Sequence, residues 1–91
     1  MLTMDLRVRE SRSLKAKRSV VRSLVDGARS RYGVAAAETD HQDQWQRAEV
    51  AFAAVSGSQQ HVAEVLDAVD RFVWSHPEVE VVSAERSWIE I

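Results

Sequence analysis

Two groups of side chains in this 91-residue chain have the type and spacing to do chemistry. The first is a run of bases: Arg7, Arg9, Arg12, Lys15, Lys17, Arg18, Arg22, Arg29 and Arg31. It puts nine of the twelve Lys and Arg into the first 31 residues, beside only three acids. That segment carries a formal charge of +6 and the remainder −8, a split hidden in the net −2. A concentrated positive field attracts polyanions even on a slightly acidic molecule. The second group is Glu38, Asp40, His41, Asp43, Trp45 and Arg47. Carboxylates and an imidazole are legitimate ligands for zinc or manganese, but Asp and His are also ordinary turn residues. No second His or His-x-x-x-His spacing accompanies them, so no metal is expected. Glu38 ends an apolar run and suits a salt bridge, to Arg47 across a hairpin or to a base of the preceding helix. Trp45 has two open uses, stacking on an exposed base or burying the end of a hairpin, and the second is favoured.

Catalysis has little to stand on. His41, His61 and His76 are scattered, Ser56-Gly57-Ser58 lacks the Gly-x-Ser-x-Gly elbow, and three glycines at 27, 33 and 57 make no phosphate loop. A small phosphatase of the acylphosphatase kind needs an Asn to orient its water, and the chain has none. Without cysteine there is no disulfide, thiolate metal site or cysteine nucleophile. The expectation is a protein that is not an enzyme and holds no cofactor. No run reaches the eighteen or so apolar residues of a membrane helix, and charges stand where a signal peptide has its apolar stretch, so a cytoplasmic location is expected.

The elements that must carry these groups are legible from periodicity. Leu2, Met4, Leu6 and Val8 alternate with polar residues as in a half-buried strand. Ser13 stands at an N-cap position. Leu14, Val21, Leu24, Val25, Ala28 and Tyr32 then share one side of a helix that ends at Gly33, a plausible left-handed terminus, while Gly27 weakens the helix without breaking its pattern. Residues 34–40 and 46–56 read as two strands joined by the polar stretch Thr39 to Gln44. A second helix from about Ser58 to Ser75 gathers Val62, Val65, Leu66, Val69, Phe72 and Val73, and Pro77 forbids its continuation. Residues 79–91 make a last strand of open register. The order β-α-β-β-α-β predicts one α+β domain over residues 1–91, a ferredoxin-like sandwich with both helices on one face of a four-stranded antiparallel sheet. The other face would carry Ala51, Ala53 and Val55, joined by Val82, Ala84 and Trp88 if the register allows. An open apolar face of this kind suits a second copy of the chain.

On the first helix Lys15, Arg18, Arg22 and Arg29 fall within about 60° of one another, beside the apolar stripe. Arg9 and Arg12 lead into this ridge, and Lys17 lies at the edge of the buried side with its stem packed and its amine in water. A ridge of one sign can follow a phosphate backbone, with Ser13 and the first free N–H groups of the helix seating one phosphate. A solvated helix face is the bland alternative. The single acid, Asp26, between Ser13 and Tyr32 weighs against it, because an ordinary face mixes both signs.

The run Ser13-Leu14-Lys15-Ala16-Lys17-Arg18 with Val20-Val21, then Tyr32 through Glu38 and Trp45-Gln46-Arg47-Ala48, resembles the YlxP-like family, a bacterial domain of unknown function, over nearly the whole chain. The resemblance implies a ferredoxin-like fold of this size and a gene usually found among those for translation initiation and ribosome maturation. It supplies no established activity. The chain departs from the family in a first strand a few residues short, whose true start is left open, and in a longer polar stretch ahead of Trp45.

Three functional classes follow. The first, preferred, is an accessory factor binding ribosomal RNA or a ribosomal particle through Arg9, Arg12, Ser13, Lys15, Lys17, Arg18, Arg22 and Arg29, with Glu38, Trp45 and Arg47 as a loop contact. The second is a homodimeric protein-interaction module working through the open sheet face. The third is a small-molecule or anion-binding regulatory domain near Arg9 to Ser13.

Overall fold

The alternation in the first seven strand residues becomes β1 (Leu2–Val8), whose Leu2, Met4, Leu6 and Val8 are buried while Thr3, Asp5 and Arg7 face the other way. The computed structural model describes residues 1–88. Around β1 stand α1 (Leu14–Tyr32), β2 (Ala35–Asp40), β3 (Arg47–Ala53), α2 (Gln59–Trp74) and β4 (Val79–Arg86). The strands form one antiparallel sheet in the order β2-β3-β1-β4, the ferredoxin-like arrangement. No helix among the described residues is long and apolar enough to cross a membrane.

Each helix starts and stops for a local reason. The Ser13 hydroxyl accepts the Ala16 N–H at 3.0 Å, and Gly33 closes α1 in the left-handed region at φ 66, its N–H donating to the Arg29 carbonyl. Ser58 caps α2 by accepting the His61 N–H at 3.2 Å. Val21, Leu24, Val25 and Ala28 of α1 meet Val62, Leu66, Val69, Phe72 and Val73 of α2 over Ala48, Val50 and Phe52 of β3. Gly27 turns out to be a packing position. A Cβ there would stand 2.6 Å from Cζ of Phe72, a ring held edge-on between Tyr32 and His76.

The last strand departs from the expected one. β4 ends at Arg86, Ser87 still exchanges two backbone hydrogen bonds with Met1, and residues 89–91 lie outside the described residues. The register shifts between Asp5 and Leu6, where Val81 pairs with Leu6 and Ser83 with Asp5, so Val82 is the extra residue of a bulge. One inserted residue reverses the facing of everything after it. Ala84, expected on the open face, therefore lies opposite Met4 on the helix side, as does Arg86, which reaches Asp67 of α2 at 2.7 Å. Trp88 likewise leaves the open face and shares a depression with Gln59, Gln60 and Ala63 at the start of α2. What remains of that face is Ala35, Ala37, Ala51 and Ala53 at one end, giving way to Asp5, Arg7, Arg47 and Glu49 at the other.

Candidate nucleic-acid interface

The topology brings the β1–α1 loop and the β2–β3 connection together at one end of the sheet. The Val8 N–H donates to the Gln46 carbonyl at 2.9 Å, and Nε2 of Gln46 donates to the Ser11 carbonyl at 3.3 Å. Between them stands Lys17, which is 0% exposed. Its ammonium donates to Oε2 of Glu38 at 2.8 Å and to the carbonyls of His41 and Gln42 at 2.7 and 3.2 Å. Those three acceptors use all three of its protons.

This corrects the expected role of Lys17. Its place on the wheel lies within the apolar stripe, directly over the end of β2, so its amine meets Glu38 instead of water and is not offered to a phosphate. The salt bridge expected of Glu38 exists, with the helix base and not with Arg47. Arg47 instead reaches back across the sheet to Asp5, whose second oxygen lies 3.9 Å from Nε2 of His41. Sequence reasoning did not single out Asp5. Its position opposite Glu49, two residues along from the Arg7–Arg47 pair and so diagonal to Arg47 on the same face, is the signal that finds it once the register is known.

The remaining predicted residues separate into two sets. Arg29 is 54% exposed at its side chain but donates to the Ala36 carbonyl of the edge strand β2 at 2.6 Å, and Ser13 spends its hydroxyl oxygen on the helix cap. Arg9, Arg12, Lys15, Arg18 and Arg22 are exposed, and none has a side-chain hydrogen bond or ion pair among the described residues. Gly27 faces α2 while Arg29 reaches β2, so at 100° per residue Lys15, Arg18 and Arg22 run along the flank of α1 away from α2, above the free edge of β2. Five unpaired cations thus follow one helix flank and the loop that leads into it.

At the same end of the sheet the structure places an aromatic ring in the loop bonded to Val8 and Ser11. Trp45 is 55% exposed, so it does not bury the hairpin end as expected. The loop around it is fixed: His41 takes its N–H to Oδ1 of Asp40 at 2.7 Å and adopts φ 63, Gln44 donates its N–H to the His41 carbonyl, and its side chain reaches Nδ1 of the His41 ring. With Glu38 on Lys17 and Asp40 on this turn, no group of three His, Asp or Glu converges for a metal among the described residues.

Comparison with known proteins agrees with this architecture's extent. A family model described as a protein of unknown function, DUF503, matches residues 1–86. The chain is also similar to a protein of Bacillus subtilis (strain 168) named "Uncharacterized protein YlxP", at 34% identity over 76 residues that cover 84% of this chain and 83% of the relative.

Proposed function

This chain belongs to the DUF503 family, and we propose that it works as a non-enzymatic cytoplasmic accessory factor that grips an RNA phosphate backbone along the exposed flank of α1. The observation that carries the reading is the set of five cations, Arg9, Arg12, Lys15, Arg18 and Arg22, left without anionic partners on one flank while Arg7, Lys17 and Arg47 meet carboxylates and Arg31 lies over the Tyr32 and Phe72 rings. Charges that serve only solubility are ordinarily mixed in sign, and holding five of one sign together costs self-repulsion that an RNA strand relieves. The resemblance to YlxP-like proteins, whose genes usually lie among those for translation initiation and ribosome maturation, makes ribosomal RNA or a ribosomal particle the first target to test. The experiment is co-sedimentation with ribosomal particles at about 50 and about 200 mM salt. Five neutralised phosphates on a single strand predict an affinity loss of about a hundred-fold across that range. Equal migration at both salts, or none, would refute the reading.

A second reading, a homodimer, has one observation in its favour. Val55 is 91% exposed and, with Met1 and Trp88, borders a groove of about 340 Å³ at the far end of β3. Val55→Asp should shift a sedimentation profile from dimer to monomer if this surface is buried between copies.

A further inference from the structure

We propose that Trp45 is a stacking platform for an unpaired base, so that the ligand of this flank is single-stranded RNA and not a duplex; the proposal rests on the RNA reading above and narrows it. Three observations meet here. Trp45 is 55% exposed and forgoes burial that an indole ordinarily gains; Trp74 is more exposed at 63%, but it is the loop of Trp45 that is bonded to the basic segment. The loop is not loose: the buried ammonium of Lys17 holds the carbonyls of His41 and Gln42, and Gln44 and Gln46 on either side of Trp45 are bonded to His41 and to Ser11. The ring is therefore presented by construction. Finally, Gln46 and Ser11 join this loop to the segment bearing Arg9 and Arg12, so backbone-binding cations and a flat aromatic face share one end of the molecule.

That is the pairing single-strand binders use, a cationic track for phosphates and a ring for a base. A duplex keeps its bases stacked on each other and offers no free face to an indole. The open sheet face offers no rival platform, since β1 and β3 place Thr3, Asp5, Arg7, Arg47, Glu49, Ala51 and Ala53 there.

The test uses the full chain with Trp74→Phe and Trp88→Phe, leaving Trp45 as the sole indole. A short oligoadenylate, a blunt-ended RNA duplex of equal charge and inorganic polyphosphate are titrated against its fluorescence. The expected result is quenching by oligoadenylate alone, and a loss of about 5- to 150-fold in oligoadenylate affinity for Trp45→Ala, restored largely by Trp45→Phe, with polyphosphate binding unchanged. Circular dichroism of Trp45→Ala should match the parent, because the ring packs little. If oligoadenylate binds without quenching and is indifferent to Trp45→Ala, or the blunt duplex binds as tightly, the stacking proposal fails and the phosphate reading stands. If no RNA binds while salt is low, both fail.

Discussion

Two sets of cations share one end of this molecule and differ in what they face. Lys17 and Arg47 lie on or under the sheet and each meets a carboxylate, Glu38 and Asp5. Arg9, Arg12, Lys15, Arg18 and Arg22 lie along the outer flank of α1 and the loop before it and meet none among the described residues. All looked alike as formal charges. A charge whose field is cancelled a few ångströms away is structural, whereas one left facing water keeps its field for a partner. On the proposed RNA reading, the contrast makes the binding surface smaller than the basic segment and displaced toward the β2 edge.

The comparison can be broken from either side, most severely at Lys17. Lys17→Met removes the ammonium that three oxygens share and should cost about 3 kcal/mol, lowering the melting midpoint by some 12–24 °C in calorimetry. A stable Lys17→Met protein with unchanged RNA affinity would mean that the loop does not depend on the clamp. On the other flank, Lys15→Glu with Arg18→Glu and Arg22→Glu should leave the circular dichroism spectrum intact and weaken RNA binding by about a hundred-fold or more, read by filter binding at low salt. Surviving affinity would show that the flank is merely a solvated helix face.

Smaller effects sharpen the line between the two sets. Gly27→Ala should destabilise by about 1–2 kcal/mol in urea melts, since the clash with Phe72 outweighs the roughly 1 kcal/mol that Ala gains in helix propensity. Gly57→Ala meets nothing within 4 Å and serves as the control. Smallest of all in binding, Arg47→Ala breaks a largely buried pair with Asp5 and should leave RNA affinity within two-fold by titration, about 0.4 kcal/mol. A large binding loss there would extend the interface onto the sheet.

Much of the frame was readable in advance because its determinants are local. Ser13 and Ser58 cap their helices, Gly33 takes the left-handed terminus, and the alternation of β1 and β3 sorts buried from open positions. The candidate site was readable only in part. A helical wheel ranks Lys17 near the buried side but cannot show that the end of β2 lies over it with Glu38 and two carbonyls. Trp45 could be assigned to burial or to presentation until its loop was seen anchored on both sides. The bulge that carries Ala84 to the helix face depends on one extra residue in one strand, which no periodicity within β4 announces.

Composition and periodicity alone therefore determined the β-α-β-β-α-β order, the buried stripes and the concentration of positive charge, because these depend on neighbours a few residues apart in the chain. Tertiary structure decided which of those charges are free and which are spent. Whether a cation meets a carboxylate 21 residues away, as Lys17 meets Glu38, is set by how helix and strand are laid over one another, and only packing brings such groups within reach.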